Sequence, residues 1–164
     1  VRGYPTDAGI GILPHLIDAP EHARWMHVPI RIAPFGEPTA FAHHGWDLVP
    51  QAPHIAGKRY VLLDGRAISY AESVLGYFRD ARLATTIGGA SAGANGNVNA
   101  FALPGGFSVY FTGMRVTRHD GAGQLHGIGI VPDVAVTQTV AAWRDGRDLV
   151  LERALELAAR DTKP

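Results

Sequence analysis

Arg59-Tyr60-Val61-Leu62-Leu63-Asp64, then Ala71 to Ala81, then Ala84-Thr85-Thr86-Ile87 make up the stretch that decides the fold. The first piece is a short, nearly continuous apolar run, the pattern of a strand buried on both faces. The second carries Val74, Leu75 and Phe78 at three- and four-residue spacing, which predicts a helix with one apolar stripe. The third predicts the next strand. Residues 59–87 therefore read as one βαβ unit, two parallel strands joined by a crossover helix. The fold class is α/β, with the sheet organised around the strand before Ser69.

Toward the N-terminus, residues 10–17 predict a short helix interrupted or begun near Pro14. His27 to Ala33 alternates and is β-like, but Pro29 confines it to an edge or irregular strand. Residues 34–57 hold Pro34, Pro38, Pro50 and Pro53 with little periodicity, the mark of a long connection, which is often a functional lid or a substrate-facing loop. Toward the C-terminus, a small-residue loop from Gly88 to Asn97 precedes strand signals at 98–103, 107–112 and 114–118. Arg147 to Arg160 predicts a helix with Leu149, Val150, Leu151, Leu155 and Leu157 on or near one face, capped by Asp145 or Asp148.

The chain's 164 residues suffice for one domain with a real core. Lys+Arg and Asp+Glu both number 15, so no net field draws it to nucleic acid or an anionic membrane. With no cysteine there is no disulfide, thiolate zinc site or Cys nucleophile. No apolar run approaches the roughly 20 residues of a membrane span. The opening Val1-Arg2-Gly3-Tyr4-Pro5 reads as a strand end entering a turn without an initiating Met, so the sequence is expected to be part of a longer protein.

Ser69 stands where the buried strand passes into the helix, and two roles fit it. As a helix N-cap it would form a Ser-x-x-Glu capping box with Glu72, the commoner use of this local pattern. As a nucleophile it would sit beside amides that lack intrahelical partners, one of which can hold an oxyanion. Its flanking Ala67 and Ala71 are small, as in a nucleophile elbow. The glycines between Gly88 and Gly96 are followed by no Lys and no helix pattern, so they hold no phosphate; they serve close backbone approach or simple connection. The eight histidines show no metal spacing, and nothing calls for a metal or cofactor. His126, set among glycines, is the one with an unusual backbone setting. Trp25, Trp46 and Trp143 read as core or groove-lining residues.

Taken in order, Arg2-Gly3-Tyr4-Pro5, Ser69-Tyr70-Ala71-Glu72, Ile87-Gly88 with Gly93, Leu103-Pro104-Gly105-Gly106 and His126 through Asp133 form a set. This set resembles the tail-specific (C-terminal-processing) proteases, peptidase family S41, which include tricorn-type cores and interphotoreceptor retinoid-binding protein repeats. The resemblance spans essentially the whole chain and favours the nucleophile over the cap. It implies a single peptidase core domain over residues 1–164, with no PDZ domain among them, in the ββα superhelix shared with Clp and crotonase. It also implies an acylating Ser69 acting on polypeptide substrates without a cofactor. The oxyanion would be held by the Tyr70 amide and by the turn from Tyr4 to Asp7, with Gly93 shaping the substrate side. Most relatives work in the bacterial periplasm or outside the cell, and the parent is placed there by resemblance.

The departures bear on the base. Many members pair the serine with a lysine in the Gly-rich loop, but that position is Ala94, and no lysine lies between Lys58 and Lys163. Tricorn-type members use a His from an earlier segment and a Glu whose position here is His126. Three alternatives follow: His126 is the base, the base lies outside this sequence, or there is none and the domain binds a peptide or apolar ligand. Glu72 orients the site or caps the helix. An acyl-CoA enzyme of crotonase type is a weaker third class, since a fold does not fix a function.

Overall fold

The computed structural model describes residues 1–4, 8–30, 35, 40–121 and 123–161. The elements are α1 (Ala8–Ile12), a 3-10 turn (Leu13–His15), β1 (Met26–Ile30), β2 (Ala40–His44), β3 (Tyr60–Leu63) and α2 (Tyr70–Asp80). After these come β4 (Thr85–Gly88), β5 (Val98–Leu103), β6 (Phe107–Thr112), β7 (Arg115–Val116), β8 (Val134–Ala135), α3 (Val140–Arg144) and α4 (Leu149–Asp161).

The βαβ reading holds. β3 and β4 pair in parallel with Tyr60 opposite Thr85 and Leu63 opposite Gly88, and β8 adds in parallel beyond β4. The apolar run of β3 is divided between two faces, because successive side chains of a strand alternate. Leu63 and Val61 join a large core with Val74, Leu75, Tyr77 and Phe78 of α2 and with Leu13, Leu16, Ile17 and Trp25. Tyr60 and Leu62 turn the other way, against Ile87, Val150 and Ala154. Helix α2 thus covers one face of the sheet and α4 the other. Each such fully buried Leu or Val contributes roughly 1.5–3 kcal/mol relative to exposure.

A second sheet, in the order β2-β1-β7, is antiparallel. Pro29 lies in its middle strand, yet β7 reaches only Met26 and His27, so among the described strands Pro29 has a partner on one side alone. Its missing N–H is therefore tolerated. Part of the span expected to be a long connection is strand β2; its five residues are too short for a period, and pairing with β1 creates it. The remainder of the predicted 27–33 strand beyond Ile30 lies outside the described residues. β5 and β6 form a hairpin of their own.

Helix α4 corrects the predicted apolar face. Val150 and Ala154 are buried with Leu157 packed beside them, whereas Leu151 and Leu155 are exposed. Positions 150, 154 and 157 share one stripe, and 151 and 155 lie about 100° around the helix. Asp148 is the cap, its Oδ1 accepting the Leu151 amide at 3.0 Å. Asp145 instead ends α3.

Candidate active site

Beyond the carboxyl end of β3 the chain turns at Asp64 and reaches α2 through Ala67-Ile68-Ser69. This connector is held by the Gly-rich loop: Ala92 N donates to Ala67 O at 3.0 Å and Ser69 N donates to Ala94 O at 2.9 Å. The loop is held in turn from its other side, where Ser91 N donates to Ile130 O at 3.1 Å and Gly127 N to Gly93 O at 2.7 Å. Three irregular segments therefore lie side by side past the strand ends, with the Gly-rich loop in the middle. Gly93 has φ +69°, and a Cβ there would stand 3.0 Å from the amides of Ile128 and Gly129. Close backbone approach is thus the loop's use, as its small residues suggested.

Ser69 has φ 55° and ψ −116°, a conformation that costs a non-glycine residue about 1–3 kcal/mol. An N-cap residue ordinarily has extended backbone and accepts a first-turn amide with its side chain. Ser69 does neither: its side chain makes no cap hydrogen bond. The Glu72 and Ser73 amides go to Ser69 O, and that of Ala71 goes to Ile68 O. The Tyr70 amide has no acceptor among the described residues and stands at the helix start beside the Ser69 side chain.

Glu72 is not half of a capping box. It is fully buried, and its Oε1 accepts from Ser91 Oγ at 2.5 Å and from Gly93 N at 2.7 Å. Ser91 Oγ also accepts the Ile130 amide at 2.6 Å, so one hydroxyl joins α2, the Gly-rich loop and the turn bearing His126. Asn95 adds a further tie, donating to Ser73 Oγ at 3.0 Å. Ser91 and Asn95 escape notice in the sequence because they look like ordinary loop polars. Asp133 anchors the same turn, its Oδ2 accepting from the Thr86 amide and hydroxyl at 2.8 and 2.7 Å.

His126 is exposed, on the turn whose next residue bonds Gly93, and its carbonyl accepts from Gln124 Nε2 at 2.7 Å. No described side chain hydrogen-bonds to the Ser69 hydroxyl, His126 included. The Tyr70 hydroxyl accepts from the Ile10 amide at 3.0 Å, and the Tyr70 ring packs 5.3 Å from that of Trp46 and 6.3 Å from that of Tyr4. Tyr4 is largely exposed; Pro5, Thr6 and Asp7, the rest of the expected oxyanion turn, lie outside the described residues. Trp25 is core, whereas Trp143 is exposed and lines a cleft of about 680 Å³ with Arg2, Asp64, Gly89 and Asp148.

Two other histidines are placed by the fold. His27 Nδ1 lies 2.6 Å from His43 Nδ1 across the β1–β2 pair, and its Nε2 meets Thr117 Oγ1 at 2.9 Å. Burial, with His43 and Arg115 beside it, lowers its pKa. His119 is stacked 4.7 Å from Trp25 and edge-on to Tyr77 at 4.1 Å. Burial pushes its pKa down to about 4. Among the described residues no group of three or more His, Asp or Glu side chains is placed to hold a metal ion, and no helix is long and apolar enough to cross a membrane.

A family model described as Peptidase family S41 matches residues 34–136. No curated protein sequence matches the chain. Among solved structures, a Parabacteroides merdae protein assigned as a peptidase superposes with TM-score 0.78 at 21% identity, covering 96% of this chain and 50% of its own. Mature CPAF complexed with lactacystin gives 0.74 at 15%, covering 97% and 43%. The photosystem II D1 C-terminal processing protease gives 0.55 at 17%, covering 84% and 33%. At these identities the likeness is one of fold, and the chain spans half or less of the length of each.

Proposed function

The chain belongs to peptidase family S41, and on that premise we propose that it is a serine-type peptidase core that cleaves polypeptides through an acyl-enzyme on Ser69. The observation that carries this reading is the strained backbone of Ser69, φ 55° and ψ −116°, with a side chain that caps nothing. A strand-to-helix turn of this kind presents a nucleophile above the sheet, beside a free helix-terminal amide. We read the fold as the ββα superhelix of Clp and crotonase, and the site of action as the bacterial envelope or beyond.

In this mechanism Ser69 Oγ attacks the scissile carbonyl while its proton passes to the base. The Tyr70 amide stabilises the oxyanion, an effect of the order of 10²–10³ in rate for one donor. The tetrahedral adduct collapses, the C–N bond breaks and the leaving amine takes the proton back. Water then attacks the ester by the same route and frees Ser69. No lysine occupies the Gly-rich loop; Ala94 stands there and offers its carbonyl to Ser69 N. We assign the base to His126, because the turn that bears it is tied to Gly93 and, through Ser91, to Glu72. Glu72 then acts as a positioning residue.

Labelling by a fluorophosphonate probe tests the reading. Ser69-dependent labelling, lost in Ser69→Ala and reduced at least about tenfold in His126→Ala, is the expected result. Labelling that survives His126→Ala unchanged removes His126 from the base role. Among the described residues no side chain hydrogen-bonds to the Ser69 hydroxyl, and this favours a second reading, a peptide- or apolar-ligand-binding domain with an idle serine. Labelling of the full-length parent alone would place the base outside this sequence, and failure of both this chain and the parent to label would favour that second reading instead.

A further inference from the structure

The β2-β1-β7 sheet holds a row of three basic side chains that the chemistry proposed above does not use. His27 of β1 stands opposite His43 of β2 and opposite Arg115 of β7, and residues directly opposite share a face. His27 is buried in the middle of the row and His43 is exposed at one end. At the other end Arg115 is exposed, its guanidinium 4.6 Å over the ring of Phe41. The imidazoles meet edge to face, and their Nδ1 atoms are 2.6 Å apart. Hydrogen-bond directions around them follow from Thr117. Its hydroxyl donates to Trp25 O at 3.4 Å, so with a single proton it must accept from His27 Nε2 at 2.9 Å. Neutral His27 therefore carries its proton on Nε2 and offers a lone pair at Nδ1. The proton between the rings belongs to His43 Nδ1.

That contact has room for one proton. A proton added at His43 Nε2 leaves it in place. A proton added at His27 Nδ1 sets two N–H groups against each other and lodges a charge beside Arg115. We propose that the His27–His43 pair is a proton-operated latch on β2, closed while one proton joins the rings and opened when His27 takes up a second. The charged groups facing His27 are His43 from β2 and Arg115 from β7; burial first, then these two, lowers its pKa. The closed pair therefore binds fewer protons than the open one. Its stabilising effect is fully present above pH 6.5 and is lost as pH falls below that toward the lowered value. The element released is β2. Among the described strands it pairs with β1 alone, and none of its residues belongs to either buried cluster. β1 stays on β7 through Met26 and His27, and through the Thr117 amide, which donates to Trp25 O. The edge of β1 from Met26 to Ile30 is thus covered at neutral pH and bared in acid, while the βαβ unit keeps its packing.

Amide hydrogen exchange at pH 7.5, 6 and 5, corrected for its intrinsic pH dependence, tests the latch on wild type and His43→Gln. The substitution is at an exposed position, and an amide can turn its oxygen toward a protonated His27. Titration of buried His119 is common to both chains and drops out of the comparison. Between pH 7.5 and 5, protection of the β2 amides is expected to fall about fivefold or more further in wild type than in the variant. Protection of β3, β4 and α2 is expected to fall equally in the two. Arg115→Gln, also at an exposed position, removes the cation beside His27 and should give a fall between theirs. Ring 15N shifts at pH 7.5 give an independent reading, with the His27 proton expected on Nε2. Equal falls of β2 in wild type and both variants overturn the proposal, as does a difference shared by β3, β4 and α2. So does a His27 that carries its proton on Nδ1. If His43→Gln does not fold, wild type against Arg115→Gln decides the matter, equal falls again overturning the latch.

Discussion

Ser69 holds a backbone conformation that its Cβ disfavours, and its side chain caps no amide of helix α2. The strain is maintained by the bonds around it, Ser69 N to Ala94 O and the Glu72 and Ser73 amides to Ser69 O. Glycine adopts positive φ without a Cβ penalty. Ser69→Gly is therefore expected to be more stable than Ser69→Ala by about 1 kcal/mol, while both are inactive. Urea unfolding of the two variants measures this; equal stabilities would mean that the turn is unstrained. Glu72 shows the complementary case, a residue whose motif suggested a cap and whose Oε1 instead accepts from Ser91 and Gly93.

At the scale of elements, the β3–β4 pair brings the site's segments together, and it leaves no room for a side chain at Gly88. There φ is +134°, and a Cβ would stand 2.0 Å from Leu63 O. Gly88→Ala must move one strand off the other or twist out of the positive-φ region. A loss of about 3 kcal/mol or more is expected, read as a lower urea midpoint together with loss of Ser69 labelling. A variant of wild-type stability would show that the two strands adapt without cost. The same pair explains how far the elements were legible. β3, α2 and β4 announce themselves by period, and β5 and β6 by their separating glycines. β2, β8 and α3 are too short for any period, and β8 exists because Ile87 and Gly88 offer it an edge.

At the scale of the whole molecule, His119 reports on packing between distant segments, since Trp25 comes from before β1 and Tyr77 from α2. Its pKa is about 4 when folded against 6.5 in the free side chain, burial being the main cause. The folded state therefore binds fewer protons than the unfolded one between these values. The stability this confers is fully present above pH 6.5 and is lost as pH falls from 6.5 toward 4. The loss is about 3 kcal/mol. His119→Phe keeps an aromatic ring in the stack and removes the titration, so the variant should lose correspondingly less stability than wild type over that interval. Unfolding by urea at pH 7.5, 5.5 and 4 measures the difference, and parallel curves would count against a buried neutral His119.

By itself the sequence determined the local periods and the ordered motifs. Apolar runs and 3/4 spacing depend on neighbours along the chain, so they specify the βαβ unit and the hairpin. The Ser69 and His126 motifs likewise carry the family resemblance without any coordinates. Only the tertiary structure decided which of two uses Glu72 has, that Ser91 joins three segments, and that α4 buries Val150 and Ala154 rather than Leu151 and Leu155. Those outcomes depend on what lies across from each residue, and residues such as Glu72 and Ser91, or Ser91 and Ile130, meet only when the sheet aligns the three segments beyond its strand ends. A hydrogen bond's choice among acceptors is settled by distance in space, which chain order does not contain.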